Sequence, residues 1–434
     1  MDISYLFANK EQYISSLKAR FMNANLIDKI EVLHKDYVSN LFNLQQTNRL
    51  KNLLTKLVPG KYILTDHDKE FLNEQSILIN ANRTYYIDMS RDINKKLILL
   101  QEIVDKLFSE RNILVSTVPN LIGDKTPIDD NEDNEDRNPI ISTYGDPFKL
   151  DGLLDHYELC NKFKLLESAT DFSGHRGYVM VGDLVRLNYA IMNYSLDFIQ
   201  NKKFKVMYVP HFLKKEWIEN VCQLSEFDET LYKLQDTDEK YLIATSEQFL
   251  TAYHANKKML DLPQLICGVS TCFRKEAGAH GKDVSGIFRV HQFEKVEMFT
   301  ITDNDKSWEM MENMINIAKE FYESLELPYR VVNIVSGSLN NAAAMKYDLE
   351  GWFPGSGRYR ELVSCSNTLD YFSRRLKTVN NKGEYVHMLN STLYANTRTL
   401  CCILENYQEI NENKIKIPHV LIPYFGKSEI VLLP

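Results

Sequence analysis

"FRKEAGAHGKDVSGIFRVHQFEKVEMF", residues 273–299, alternates like a strand, stops at a glycine-bearing loop, then alternates again. Residues two apart on a strand share a face. Arg274 and Glu276 would therefore point one way, followed on the second strand by Arg289, His291, Phe293, Lys295 and Glu297, while Phe288, Val290, Val296 and Met298 turn to a core. The ordinary reading of so charged a face is a solvated sheet laced with cross-strand ion pairs. The other reading is a site, because an arginine fork grips phosphate or carboxylate oxygens and an exposed phenylalanine offers a platform for a flat base.

The surrounding chain has 434 residues, 44% of them apolar and 25% charged, a globular composition rather than a disordered or membrane one. At roughly 150 residues per domain it should hold two or three units. No apolar run approaches the ~20 residues needed to span a bilayer, so no membrane partner is expected. The start, "MDISYLFANKEQ", reads as neither a secretory signal nor an Arg-rich transit peptide, and the expected compartment is the cytoplasm. Seven cysteines without paired CxxC spacing argue against both a disulfide framework and a zinc ribbon. A formal charge of −8 removes any case for nucleic-acid binding from overall charge, though not for a local basic surface.

Upstream, apolar residues recur at helical spacing from about Leu26 to Val58, and Pro59-Gly60 ends the run. A second helix is expected from Thr65, capped with help from Asp68, to about Val115. Within it Leu72, Ile79, Tyr86, Ile93, Leu100 and Leu107 keep a heptad, with Leu97 and Val104 on the same seam. Two such helices fold back on each other as an arm, the longer reaching roughly 70 Å at 1.5 Å per residue. A dimerising or spacing coiled coil is one use for it. A phosphate-binding tip is another, since Arg49, Lys51, Lys56, Lys61 and Arg83 gather at the turn in stretches free of acids.

"GDKTPIDDNEDNEDRNP", residues 123–139, is acidic and aperiodic and reads as a linker or mobile loop. Beyond it, strand-like "YLIAT" and "LPYRVVNIV" mix irregularly with helical "LVRLNYAIMNYSLDFIQ" and "SWEMMENMINIAKEFYESL", which predicts an α+β domain on a mostly antiparallel sheet. Neither a GxxxxGK[ST] loop nor a GxGxxG turn is present.

Taken with four other segments, the opening stretch resembles motif 2 of class II aminoacyl-tRNA synthetases, and in detail the seryl-tRNA synthetase family. "FKVMYVP" at 204–210 resembles motif 1, "ATSEQ" at 244–248 the serine-binding loop, "YRELVSCSN" at 359–367 the later ATP segment, and "LNSTLYANTRTLCCILENYQ" at 389–408 motif 3 in its eukaryotic cytosolic form. The resemblance implies a tRNA-binding coiled-coil arm over residues 1–120, an acidic linker over 121–140 and a catalytic domain over 141–434. It implies an enzyme that activates L-serine with ATP and transfers it to tRNA(Ser), with selenocysteine tRNA a further candidate substrate, and that works as a homodimer. One departure is Phe372, where the family usually has a glutamine.

By the same resemblance Arg274 and Arg398 are the catalytic cations. The serine set is Thr245, Glu247, Arg274, Glu297, Asn390 and Thr392. The ATP set is Arg274, Lys275, Glu276, Val290, His291, Gln292, Phe293, Glu361, Leu362, Val363, Ser364 and Arg398. Glu361 and Ser364 would hold Mg²⁺, an ion suited to hard oxygen ligands and retained waters, and no zinc is expected. Asp348, Glu350, Arg374 and Arg375 are read as scaffold. The rival reading is a catalytically silent paralogue that binds tRNA or a protein through the arm. A second rival is an enzyme charging another amino acid or a carrier protein.

Overall fold

The computed structural model describes residues 2–130, 137–148, 152–222, 230–235, 238–277 and 286–431. The chain forms two compact units: Ile3–Lys10 with Asn23–Val118, and Glu11–Met22 with Pro119 onward. Residues 11–22, which the sequence reading placed in the arm, thus belong to the larger unit. Helices α1 (Ile3–Ala8) and α2 (Lys10–Ala19) precede α3 (Leu26–Leu57), α4 (Asp66–Glu74) and α5 (Arg83–Thr117).

In the arm, α3 and α5 pack through Leu44, Leu50, Leu53 and Leu54 against Tyr86, Ile93, Leu97 and Val104, the expected seam. Thr65 and Asp68 form the reciprocal cap at the start of α4. The second helix is not continuous, however, because the chain leaves helical conformation between Glu74 and Arg83. Ser76 and Asn80 take positive φ, and Ile77 rather than Ile79 is fully buried. Two tyrosines satisfy the backbone freed by this break. The Leu78 N–H donates to Tyr85 Oη (3.2 Å) and the Ala81 N–H to Tyr86 Oη (3.0 Å), while Tyr86 Oη donates to the Leu78 carbonyl (3.3 Å). Asn82 then caps α5 by accepting from the Tyr85 N–H at 2.8 Å.

The larger unit is built on strands β1 (Ile140–Tyr144), β2 (Lys205–Tyr208), β3 (Gln264–Phe273), β4 (Gln292–Thr302), β5 (Tyr329–Asn333), β6 (Met345–Phe353), β7 (Arg358–Asn367) and β8 (His387–Ala395). They form one eight-stranded sheet in the order β1-β5-β6-β7-β8-β4-β3-β2. Every pair is antiparallel except β2 with β3. Helices α6 (Asp183–Asn201), α7 (Ser246–Tyr253), α8 (Ser307–Ser324) and α9 (Asn396–Asn406) surround it.

Met298, Leu349, Cys365 and Leu389 join Ile191 of α6, Phe321 of α8 and Leu400 of α9 in one apolar core. Phe299, Ile301 and Met388 join Leu250 of α7 in a second. Phe372 lies in this second cluster, 5% exposed and edge-on to Tyr371 at 5.3 Å, so apolar packing stands where the family's amide would be. None of the seven cysteines is in a disulfide.

The acidic segment is held more firmly than its composition suggested. Asn120 donates to the carbonyls of Ala342 (2.9 Å) and Thr368 (2.7 Å), and the Gly123 N–H and Thr126 hydroxyl both reach the Ala344 carbonyl. The Lys125, Pro127 and Pro139 carbonyls accept from Asn333 and Ser336. Composition registers missing apolar periodicity, and this segment is fixed by backbone pairing instead. Residues 131–136 lie outside the described residues.

Tyr86→Phe should destabilise the arm by about 1–2 kcal/mol, since it leaves backbone groups at the helix break without partners. The measurement is amide exchange, which should quicken at Ala81 while the large sheet keeps its protection.

Candidate active site

The described residues of the opening stretch form only part of a hairpin. β3 ends at Phe273 and β4 starts at Gln292, although the Arg274 N–H still pairs with the His291 carbonyl at 2.9 Å. Arg274 and Glu276 are thus not strand residues. Glu276 has φ +52°, which turns its carboxylate to Arg289 at 2.8 Å. The loop between Ala277 and Gly286, expected to order over ATP or the tRNA end, lies outside the described residues.

On β4 the alternation holds. Phe293, Lys295 and Glu297 share a face, and the register extends that face across the sheet: Glu297 opposes Thr392, Ser366 opposes Asn390, and Asp348 opposes Ser364. A narrow cleft opens on it, lined among others by Arg274, Glu276, Val290, Phe293, Glu361, Leu362, Thr392 and Arg398. The Arg274 guanidinium lies over the Phe293 ring, 5.1 Å from its centroid.

Arg398, in the first turn of α9, donates to the Glu361 carboxylate and carbonyl, each at 3.2 Å. Burial would raise the Glu361 carboxyl, but Arg398, Lys346 and Arg274 outweigh it and hold it at about 2. Its side chain is closely surrounded yet keeps 43% of its surface open.

A second group of residues gathers beside this cleft. Glu297 is 1% exposed and paired with Lys295 at 2.5 Å, and Lys295 also donates to the Thr245 hydroxyl at 3.1 Å. Burial pushes the Glu297 carboxyl up, opposed by Lys295, Arg274 and the Thr392 hydroxyl. Asn390 donates to Glu247 at 2.8 Å. Gly268 lets α7 start this close to the sheet, because a Cβ there would fall 2.5 Å from Ser246 Oγ and 2.7 Å from its Cβ. Thr245 caps α7 and Glu247 lies in its first turn, so the helix start presents both.

Several expected ATP residues are placed elsewhere. The Val363 side chain is fully buried in the main core, which leaves only its main chain for a ligand. The Lys275 N–H is tied to the Thr230 carbonyl, and its side chain is not among those lining the cleft. His291 and Gln292 line a different hollow with Tyr178, Tyr232 and Phe273. Conversely Phe288, Arg289, Lys295, Ala395 and Thr397 line the cleft without having been assigned to it. Phe288 lies 5.0 Å under Arg398 and 3.9 Å under Arg360, a stacking role that its core-facing place in the alternation concealed.

In the arm, Arg49 stacks on Phe71 at 4.1 Å and Lys56 lies 5.1 Å from the Tyr62 ring. Both line a hollow with Gln45, Asn48, Asn52 and Asp68. Lys61 and Arg83 are exposed and Lys51 is partly so.

A mostly antiparallel sheet, cations from a loop and a helix start, and an aromatic wall define the catalytic core of a class II aminoacyl-tRNA synthetase. The family model for the tRNA synthetase class II core domain (G, H, P, S and T) matches residues 232–407. The chain is 43% identical to the cytoplasmic serine-tRNA ligase of Dictyostelium discoideum, over 97% of this chain and 91% of that one. The cytoplasmic serine-tRNA ligase of Naegleria fowleri in complex with AMP superposes with a TM-score of 0.81 at 40% identity, covering 100% of this chain and 99% of that one. The seryl-tRNA synthetase of Pyrococcus horikoshii with ATP gives 0.83 at 32% identity over 100% of both chains. The chain belongs to the serine-tRNA ligase family.

Lys295→Met should cost about 3–5 kcal/mol of stability, because it strands the buried Glu297 without its cation. Lys295→Met with Glu297→Met should recover much of that loss. Urea denaturation of both variants is the check.

Proposed function

We propose that the chain activates L-serine with ATP to seryl adenylate and transfers the seryl group to tRNA(Ser) in the cytoplasm, the compartment named for its relatives. The observation that carries this is the adjacency of two groups of side chains, one suited to a small hydroxylated amino acid and one to a nucleoside triphosphate. In the first step a serine carboxylate oxygen bonds to the α-phosphorus as the bond from that phosphorus to pyrophosphate breaks. Negative charge builds on the phosphoryl oxygens, so alignment and fixed cations matter more than a proton shuttle.

Arg274 lies between the two groups and serves both the serine carboxylate and the α-phosphate. Arg398 holds the outer phosphates, Phe293 stacks on adenine, and Glu276 meets its amino group. Val290 packs beside the base, and the main chains of Lys275, His291, Gln292, Leu362 and Val363 border the nucleotide. Glu247 and Thr245 receive the serine ammonium. Glu297 accepts from the serine hydroxyl, with Asn390 and Thr392 closing the pocket. An analogue without the hydroxyl would leave that buried acceptor unpaired, a basis for discrimination reaching several powers of ten. In the second step the terminal ribose hydroxyl of the tRNA attacks the seryl carbonyl and AMP departs.

Glu361 and Ser364 fit a Mg²⁺ ion. Their donors are hard oxygens, Glu361 is ionised and open to the cleft, and the carboxyl of Asp348 beside them has a buried oxygen, Oδ1, that makes no well-aligned hydrogen bond. Among the described residues no three His, Cys, Asp or Glu side chains converge as a metal cage, which suits an ion held by one or two protein oxygens, water and phosphates. When bound, the ion would neutralise phosphate charge.

A homodimer is part of the same reading. β2, the segment resembling motif 1, is an outer strand of the large sheet, and its Tyr208 is 75% exposed. Such an edge is suited to pairing across a two-fold axis. The basic tip of the arm would take phosphates and shape in the tRNA rather than base identity.

Pyrophosphate exchange with a panel of amino acids tests the main reading: serine should support exchange with ATP and Mg²⁺, and Glu297→Ala should abolish it. No exchange with serine would refute the assignment. Arg49→Glu with Lys51→Glu should lower tRNA charging by about tenfold or more, through lost phosphate contacts, and leave exchange unchanged. Equal loss in both assays would remove the arm from tRNA binding.

A further inference from the structure

Lys346 and Asp348 lie two apart on β6 and face the same side of the sheet as Ser366 and Ser364 of β7. Lys346 Nζ is 3.1 Å from Asp348 Oδ2, and both side chains are largely withdrawn from solvent, at 21% and 9% exposure. The other oxygen, Asp348 Oδ1, is buried and makes no well-aligned hydrogen bond, although the Ser364 hydroxyl opposite acts on this carboxyl. Glu361 is the second carboxylate that this ammonium serves. Burial would pull Lys346 down, yet Asp348 and Glu361 hold it above its ordinary value.

Two neighbouring carboxylates do not both stay ionised in a protein interior unless positive charge is supplied. Arg398 supplies part of it from the far side of Glu361, at 3.2 Å. Lys346 supplies more of it, through its contact with Asp348 and its charge near Glu361. An ammonium paired with one carboxylate at 3.1 Å and acted on by the charge of a second does the work of a cation that arrives later. This differs from a structural ion pair, in which both oxygens would be satisfied and the lysine would have a single partner.

We propose that Lys346 is a tethered counter-ion that holds Asp348 and Glu361 in place until the nucleotide brings its divalent ion, and that Asp348 is a positioning residue that orients Ser364 and the ion's water shell. The proposal rests on the reading of Glu361 and Ser364 as the Mg²⁺ ligands. The divalent ion takes over the neutralising charge, and Lys346 then opposes it. The two residues therefore affect ion binding with opposite signs, although they form one pair. Removing Lys346 destabilises the ion-free state more than the loaded one and favours loading. Removing the Asp348 charge takes away attraction and orientation together, a loss of the size seen when the partners of metal ligands are mutated.

The test is Mn²⁺ titration of the full chain with α,β-methylene-ATP, followed by the electron paramagnetic resonance signal of free Mn²⁺. Asp348→Asn should weaken Mn²⁺ binding by about tenfold or more. Lys346→Met should tighten it by about threefold or more, and its thermal midpoint should fall without Mn²⁺ and nucleotide and recover with them. A structural pair would instead lower both midpoints and leave Mn²⁺ affinity unchanged, which overturns the proposal. If Asp348→Asn does not fold, Lys346→Met decides alone, and weaker or unchanged binding refutes the counter-ion role. If wild-type Mn²⁺ binding proves insensitive to Glu361→Gln, the metal reading of Glu361 fails instead, and with it the ground for this proposal.

Discussion

A carboxylate with 1% of its surface exposed cannot keep its charge in a protein interior without a cation at hand, and Glu297 has Lys295 at 2.5 Å. Much of the site's architecture follows from that requirement. The pair must sit on a strand that cannot shift, and β4 lies between β3 and β8, bonded on both edges. Lys295 must be anchored too, which the Thr245 hydroxyl does from the start of α7. That helix start can approach only because Gly268 lacks a side chain. One buried ion pair thus ties together a central strand, its neighbour and the helix whose first turn carries Glu247.

The same electrostatic problem recurs across the sheet with different solutions. Glu276 is satisfied by Arg289, Glu361 by Arg398, and Asp348 in part by Lys346. Around the cleft each of these carboxylates has its own cation, while Val296 and Met298, which alternate with Lys295 and Glu297, enter the main core. An antiparallel sheet tolerates this because side-chain direction alternates strictly along each strand. Polar chemistry and hydrophobic packing are then separated by the thickness of one backbone.

Much of this was legible in the sequence, and the exceptions share physical causes. The α+β class, the arm seam and the bounds of α3 follow from periodicities of two and 3.6. The cation and carboxylate roles are those that the resemblance to the family's motifs implies. What periodicity could not show is where the chain leaves its regular path. Glu276 was assigned to a strand face, but its positive φ places it by a local turn instead. The heptad runs unbroken through Ile79, yet the helix breaks there because Ile77 and two tyrosine hydroxyls offer the backbone an alternative. The acidic segment looked free because composition does not register backbone bonds to a distant strand. Asp348 looked like scaffold, and Lys346 was not singled out, because Ser364 is a neighbour only across strands.

The division of the chain into units has a consequence for synthesis. Residues 11–22 belong with the catalytic unit, and they separate Ile3–Lys10 from Asn23–Val118, the two pieces of the arm. Arg20, buried and bonded to the carbonyls of Asn340 and Ala343, finds those partners 320 residues or more further along. At roughly 5–20 residues per second on the ribosome, that separation amounts to some tens of seconds. The arm, whose partners are all near in sequence, can complete its own packing while the first strip of the catalytic unit still waits for the surface it will seal.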